Sequence, residues 1–404
     1  MDSKRKAAWR PILDGEPRAR AEAVVTEIAG TLAEPGAISA TSLARGSPGL
    51  ALFFAYLGRT RPGQGHEERA SRLLEAAIDA VASEPLTASL YSGFTGVVWA
   101  SEHLAGPFLD DDGDEDDPNQ AIDEALLELL AQSPWRDDHD LINGLSGIAV
   151  HALERLPRPS GRECLERLLD RLEETAERGG GRATWRTRPE HLMEDRRLIY
   201  PDGYHDVGVA HGVPGVAAVL GRMAAAGIGG GRARALLDET TAWVLDQKLT
   251  DDAGRGLFPN FVAPGVSARP ARLAWCYGDA GVAAALLAAA RAIGDEPLER
   301  AALEVARSAA AWPTTREDVT DAGLCHGAAG LAHVFNRIHQ TTGDEACADA
   351  ARRWSSRALD MLKQGAEPSQ AGFLSGSAGV GLALLAATSS IEPAWDRLLL
   401  ASSL

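Results

Sequence analysis

The chain has 404 residues, a formal net charge of −17 and a charged fraction of 24%. This negative balance argues against nucleic acid or an anionic membrane surface as the main partner. Four cysteines are too few for a disulfide framework in a chain of this length, so we expect a reducing compartment, the cytoplasm. The first residues lead into no apolar segment of a signal peptide, and the longest apolar run, residues 280–290, is too short to span a bilayer.

Seven copies of a Gly-x-x-Gly motif recur at a nearly regular spacing along the chain. Its copies begin at Gly46, Gly93, Gly144, Gly212, Gly278, Gly327 and Gly376. Successive copies are 47, 51, 68, 66, 49 and 49 residues apart. A fixed motif at such a period is typical of a repeat architecture, so we expect one closed domain over residues 1–404.

Each repeat predicts two helices. The amphipathic outer helices are expected at 18–33, 67–83, 121–132, 162–178, 232–249, 298–311 and 345–363. The inner helices, which are small and apolar all round, are expected at 48–57, 94–104, 145–156, 213–226, 279–293, 328–341 and 377–388. The pattern predicts an all-α fold, an α/α toroid of seven inner and seven outer helices. No segment shows the alternation of a β-strand.

The glycines and the irregular intervals suggest where a site lies. The first glycine of each motif is expected to allow an unusual backbone angle, and the second to let a neighbour pack closely. If all inner helices begin at one end, the residues before the motifs surround a common mouth: Arg45, Ser92, Asn143, His211, Tyr277, His326 and Ser375. Two excursions, 179–210 and 251–273, break the period. They either overhang the mouth and help to bind a substrate or are plain surface loops.

Two cysteines stand in matching frames before the motifs at Gly278 and Gly327. Alone, each would be read as a buried small hydrophobe. Together, Cys276, Cys325 and His326 form a Cys2His set, the pattern of a zinc site with one position left open. Such a zinc ion binds a further thiol and deprotonates it, and only the thiolate is a good nucleophile. The other two cysteines lie in outer-helix patterns and are expected to be inert.

The motifs also carry a family resemblance. The set Asp140-x-x-x-Gly144, Ala210-His211-Gly212, Trp275-Cys276-Tyr277-Gly278 and Leu324-Cys325-His326-Gly327 resembles the lanthionine synthetase C-like family, over essentially the whole chain. The resemblance implies an α/α toroid with zinc at its mouth. It also implies Michael-type addition of a peptide cysteine to dehydroalanine or dehydrobutyrine, which closes a thioether ring. With no room for a dehydratase region, the chain resembles a stand-alone cyclase that acts on a dehydrated precursor peptide beside a dehydratase partner.

The addition leaves an enolate that needs a proton, and a histidine near the metal suits that task. His211 is the candidate, since both the repeat frame and the resemblance point to it, and Asp140 could orient its imidazole. Arg272 and Tyr277 match positions associated with the family's active site, where Arg272 could stabilise enolate charge or pair with Asp140. Structural roles stay open: His211 as a helix cap, Asp140 as a hydrogen-bond acceptor, and the other two as wall residues.

Two other functions remain open on the sequence. A non-cyclising member of the same family would keep the zinc but bind glutathione, add a thiol to dehydrated residues in damaged proteins, or serve as a scaffold. Other α/α toroid enzymes fit less well. A protein prenyltransferase chain would need a partner subunit and another ligand set, and a glycosidase needs paired carboxylates across its cleft, where only Asp140 and Asp279 are expected.

Overall fold

The structure is a computed structural model that describes residues 8–34, 36, 38–106, 108–109, 117–250, 256–365, 368 and 370–402. Within these residues there are fifteen α-helices and four short strands. The first helices are α1 (Gly15–Thr31), α2 (Ser47–Thr60), α3 (His66–Val81), α4 (Phe94–Leu104), α5 (Gln120–Leu130), α6 (Leu145–Glu154) and α7 (Pro159–Thr175). They are followed by α8 (Glu194–Ile199), α9 (Val213–Ala225), α10 (Arg232–Asp246), α11 (Asp279–Ile293), α12 (Glu296–Ala310), α13 (Ala328–Thr342), α14 (Glu345–Lys363) and α15 (Ser377–Thr388). The strands are β1 (Glu177–Gly179), β2 (Arg182–Thr184), β3 (His205–Asp206) and β4 (Phe261–Val262).

Two kinds of helix alternate along the chain. In α11, every residue from Asp279 to Ala290 is buried, because small apolar side chains cover the helix all round. In α12, burial follows a stripe that includes Leu298, Ala302 and Val305, and charged residues occupy the rest. Each predicted helix overlaps an observed one, and α8 is additional. The α/α toroid is confirmed, whereas its division into seven inner and seven outer helices stays a prediction.

The helices that begin at the motifs contact one another in a ring. Helix α2 contacts α4, α4 contacts α6, and α6 contacts α9. The series continues through α11 and α13 to α15, which packs against α2. Buried apolar residues form one cluster that extends from Trp9 to Ala401. The assignment of residues 1–404 to one domain stays a prediction, since residues 1–7 and 403–404, among others, lie outside the described residues.

The loops before these helices meet at one end of the toroid, the mouth, where hydrogen bonds join them in order. The amide of Cys276 donates to the carbonyl of Cys325 (3.1 Å), and the amide of Cys325 donates to Leu374 (2.8 Å). Leu374 donates to Ala44 (3.3 Å), which donates to Tyr91 (3.0 Å). The remaining links are Ser89 Oγ to the Ile142 carbonyl, the Leu141 amide to Ala210, and the Ala210 amide to Cys276. Equivalent residues of successive repeats are therefore brought side by side.

The motif glycines are needed for space more than for backbone angle. Only Gly278 among the first glycines has a positive φ, 90°, and the other six lie between −141° and −101°. The expected unusual angle is therefore wrong at six positions. A Cβ on Gly46 would stand 1.9 Å from the carbonyl oxygen of Ser39. The second glycines are equally tight, since a Cβ on Gly281 would lie 1.9 Å from the Trp275 oxygen.

The two excursions pair with each other. Strands β1 and β2 form an antiparallel hairpin in and just before the first excursion, and β3 pairs with β4 of the second, with Asp206 opposite Phe261. The rings of Tyr200 and Tyr204 pack on Phe261 at centroid distances of 5.1 and 4.6 Å. The expectation of no strands is wrong here, because strands of two or three residues are too short to show alternation. Residues 251–255 lie outside the described residues.

No single helix among the described residues is long and apolar enough to cross a membrane. The segments Val213–Ala225 and Ile228–Asp246 meet the criteria only as a pair, across a bend of 110°. Residues Val213 to Met223 of this pair are buried inside the toroid.

Candidate metal centre

Three predicted ligands come together because adjacent mouth loops are paired. Cys276 and Cys325 occupy equivalent positions, and their backbone hydrogen bond sets the two loops side by side. The two Sγ atoms and a ring nitrogen of His326 all lie within 4.8 Å of one another. Ligands bound to one zinc ion at about 2.3 Å are at most about 4.6 Å apart. The group is thus close to the size that one ion requires, and the described residues contain no other group of this kind.

The surroundings of His326 also fit a metal ligand. Its Nε2 lies 3.3 Å from Oδ2 of Asp321, whereas Nδ1 is buried and makes no well-aligned hydrogen bond in the part of the chain that the structure describes. Interaction with the Cys276 thiol raises the pKa of this imidazole. A ligating imidazole commonly donates its other nitrogen to a carboxylate. Asp321 is itself fixed, because it accepts a hydrogen bond from the amide of Gly323 (2.7 Å). Asp321 was not predicted as a site residue, although it stands six residues before its motif glycine, as Arg272 does.

The Cys276 thiol lies in a setting that favours its thiolate. Hydrogen bonding with Cys325 lowers the pKa of Cys276 against the opposing effect of burial, and the nearby His326 and Arg272 act in the same direction. The Nη2 atom of Arg272 lies 3.8 Å from the Cys276 sulfur. Among the described residues there is no ion pair between Arg272 and Asp140. The guanidinium of Arg272 therefore lies near the Cys276 thiol and is not paired with Asp140.

His211 and Asp140 form the hydrogen bond that the sequence predicts. Nδ1 of His211 lies 2.5 Å from Oδ2 of Asp140, whose other oxygen accepts the amide of Asn143 at 2.7 Å. Burial disfavours the charged imidazole, but this hydrogen bond and the charges of Asp140 and Asp206 outweigh it and raise the pKa of His211 to about 9. His211 is therefore protonated at neutral pH. Since Nδ1 is engaged, Nε2 is the atom from which a proton can be given.

Tyr277 connects the mouth to the first excursion. Its hydroxyl donates to Oδ2 of Asp206 (3.1 Å), and its ring lies 6.4 Å from that of His211. Burial raises the pKa of Asp206 to about 7, although the charge of His211 and the bond from Tyr277 lower it. Burial likewise raises the pKa of Tyr277. Asp206 was missed as a site residue, although it stands six residues before its motif glycine, the position that Arg272 occupies in the next repeat.

The mouth loops are also supported from inside the toroid. The indole of Trp275, next to Cys276, donates to the carbonyl of Leu399 (2.8 Å), and the Tyr91 hydroxyl donates to Leu398 (2.8 Å). Residues 394–399 form a 3-10 helix near the end of the chain. Residues 394–399 therefore hold the loop residues next to the candidate ligands in place by accepting their side-chain hydrogen bonds.

The remaining cysteines lie apart from this group. Cys164 and Cys347 are buried in the outer helices α7 and α14 and form no disulfide. Burial raises the pKa of each to about 12. Thiols that are protonated and inaccessible react slowly, which agrees with the inert role expected for them.

Comparisons with known proteins find similar proteins over most of the chain. A family model described as lanthionine synthetase C-like protein matches residues 38–400. The nisin biosynthesis protein NisC of Lactococcus lactis subsp. lactis is 24% identical over 360 residues, which cover 85% of this chain and 84% of that protein. The solved structure of nisin cyclase superposes with a TM-score of 0.75 at 21% identity, over 95% of this chain and 97% of that one. This structural likeness concerns the fold.

Proposed function

The chain belongs to the lanthionine synthetase C-like family, and on that premise we propose that it is a zinc-dependent lanthipeptide cyclase. It would add cysteine thiols of a dehydrated precursor peptide to dehydroalanine or dehydrobutyrine and so form thioether rings. The observation that carries the proposal is the group of two thiols and one imidazole at the mouth, with atoms within 4.8 Å. A protonated histidine at the same mouth, His211, adds the second group that such an addition needs.

Cys276, Cys325 and His326 would hold the zinc. Two thiolates and an imidazole suit this ion, and the lack of a well-aligned hydrogen bond at the buried Nδ1 of His326 is accounted for if this atom is a ligand. Zinc bound there would supply an open coordination position at which a substrate thiol loses its proton at neutral pH. Asp321 would orient the His326 ring through Nε2, and the buried Trp275 would fix the loop that carries Cys276.

His211 would protonate the product. When the sulfur bonds to the β-carbon, the electron pair of the double bond moves toward the α-carbon and its carbonyl. Nε2 of His211 then gives its proton to the α-carbon. The proton lost by the substrate thiol returns His211 to its protonated form, so no net proton is gained or lost. Asp140 keeps the imidazole charged and oriented through Nδ1. The face from which His211 delivers the proton would set the configuration at the α-carbon.

Arg272 and Tyr277 would line the same space. The guanidinium of Arg272 extends toward the Cys276 sulfur and would stabilise negative charge that develops on the substrate. Tyr277, which donates its hydroxyl proton to Asp206, would form the wall on the His211 side. Together with His211 and Asp140, these two residues would form an acid, a cation and a wall around one opening.

The substrate chemistry implies the partners. Dehydroamino acids arise from serine and threonine by loss of water, so a dehydratase would act on the precursor peptide first. All four cysteines are free, which fits a reducing compartment such as the cytoplasm. The net charge of −17 makes nucleic acid an unsuitable partner.

The test separates proton delivery from metal binding. We expect His211→Asn to keep its zinc and fold while ring closure slows by roughly 10²-fold or more. The matched control is His339→Asn, because His339 lies in the last turn of α13, away from the mouth where that helix begins. Zinc content, the rate of thiol loss from a peptide with one cysteine and one dehydroalanine, and product configuration would be measured for all three proteins.

A no-enzyme reaction sets the baseline, since thiols add slowly to dehydroalanine unaided. Loss of zinc in His211→Asn would mean that this residue supports the metal centre instead of moving a proton. Unchanged rate and configuration with zinc retained would assign the proton to another group.

A further inference from the structure

Exposed apolar side chains are concentrated on the two excursions. Among the described residues, five large apolar residues are strongly exposed. They are Met193 at 72%, Leu198 at 80%, Ile199 at 65%, Val266 at 43% and, on the outer helix α3, Ile78 at 46%. Single exposed apolar residues are ordinary, but three of these five lie within residues 193–199, and concentrated exposed apolar surface is typical of an interaction site. We call Met193, Leu198 and Ile199 the rim patch.

The segment that carries the rim patch is attached to the mouth on both sides. Before the patch, Nδ1 of His191 lies 3.0 Å from Oδ1 of Asp138, two residues before the Asp140 that bonds His211. After the patch, Asp206 accepts the hydroxyl of Tyr277. The patch therefore lies at the rim between the loop of Asp140 and the loop of Tyr277, beside the candidate site.

The exposure of the patch is built into the segment. Arg197 crosses back over the preceding turn and donates to the carbonyls of Pro189, Glu190 and Leu192 at 2.9 to 3.3 Å. The next aromatic residue, Tyr200, is held edge-on against Phe261 of the other excursion. These contacts fix α8 by its polar and aromatic residues and leave the apolar side chains of the patch pointing to solvent.

We propose that the rim patch binds apolar residues of the substrate peptide that flank its reacting pair. This inference rests on the proposed function, which brings the cysteine and the dehydroamino acid of a longer peptide to the mouth. An extended peptide advances about 3.3 Å per residue, so the residues beside the reacting pair must cross the rim. The patch would thus favour precursors with apolar flanks.

The size of the patch favours a peptide over a second copy of the chain. The exposed parts of three such side chains amount to a few hundred Å², roughly 400 Å² at most. A stable dimer buries about 800 Å² on each partner. The rim patch alone is therefore large enough for a short peptide segment but too small for a stable dimer. A small contact area also allows the peptide to dissociate after the reaction.

The test uses peptides that bind but cannot react. Two short fluorescein-labelled peptides carry alanine at the reacting positions, and one has leucines in its flank where the other has serines. Their dissociation constants would be measured by fluorescence anisotropy with the parent, with the triple variant Met193→Ser/Leu198→Ser/Ile199→Ser, and with Ile78→Ser. Ile78→Ser is the control, since Ile78 is an exposed apolar residue (46%) on α3, outside both excursions. Equal melting temperatures would show that the variants fold.

We expect the parent and Ile78→Ser to prefer the leucine peptide about tenfold, and the triple variant to lose that preference to within about twofold. A parent without preference, or a triple variant that keeps it, would overturn the proposal. So would sedimentation showing a dimer that only the triple variant dissolves. Since no bond forms in this assay, a preference found in a protein that closes no ring would refute the cyclase function and leave the docking surface standing.

Discussion

The hydrogen bond between Asp140 and His211 makes the sharpest prediction about electrostatics. Asp140→Asn removes the charge but keeps a side-chain oxygen that can accept the amide of Asn143, so the local turn should survive. Burial lowers the pKa of His211, and the Asp140 carboxylate is the main group that opposes this effect. Without the carboxylate, the pKa of His211 should fall from about 9 toward its ordinary value or below. Asp206→Asn should lower it less, because Asp206 acts on His211 through charge alone.

The magnitude follows from the raised pKa. A pKa of about 9 in place of about 6.5 corresponds to about 3.4 kcal/mol for a fully buried pair. The His211 side chain is 41% exposed, so solvent screening reduces this to about 1–2 kcal/mol. Because the folded pKa is raised, the pair stabilises the fold fully below about pH 6.5, and the stabilisation is lost as pH rises through about 9.

The assay is denaturant unfolding of the parent and Asp140→Asn near pH 6 and near pH 10, with the His211 imidazole titrated by NMR. The parent should be more stable by about 1–2 kcal/mol near pH 6, and the difference should shrink near pH 10. If Asp140→Asn shows the same imidazole pKa as the parent, or a stability difference that does not change with pH, then Asp140 is not what charges His211.

Two further outcomes concern the metal and the glycine motif. Elemental analysis of the purified parent should show about one zinc per chain. Cys276→Ala should lose this zinc, whereas the control Cys347→Ala should keep it. Full retention of zinc in Cys276→Ala would contradict the ligand set. Gly281→Ala should destabilise by at least about 2 kcal/mol, because its Cβ would stand 1.9 Å from a carbonyl oxygen. Gly30→Ala, with no atom within 4 Å of its Cβ, should stabilise α1 by about 0.5 kcal/mol, and equal melting temperatures for the two variants would refute the steric argument.

The repeat frame accounts for what the sequence predicts well. A motif that recurs seven times places equivalent residues at one end of the toroid, so Cys276 and Cys325 could be paired from sequence alone. The same frame put His211 at the mouth, and Asp140 bonds it from the adjacent loop. The apolar composition of α11 identified it as an inner helix, because no charged face is present until its last turn.

What the sequence does not predict is which side chains meet across neighbouring loops. Asp206 and Asp321 share the repeat position of Arg272. The repeat frame does not show, however, that Asp206 accepts the Tyr277 hydroxyl or that Asp321 lies beside His326. Strands β3 and β4 were also missed, because two-residue strands leave no pattern to detect. The first glycines of the motifs were assigned to backbone angle and only the second ones to close packing, whereas carbonyl oxygens of the preceding loop occupy the side-chain space of both.

The proposed function requires that this chain closes thioether rings at a zinc held by Cys276, Cys325 and His326. Ring closure leaves the peptide mass unchanged, so the measurement is the loss of alkylatable thiol from a peptide that carries one cysteine and one dehydroalanine. With zinc-loaded parent, the thiol should disappear much faster than without enzyme or with Cys325→Ala. Persistence of the thiol at the no-enzyme rate, with one zinc bound per chain, would contradict the account.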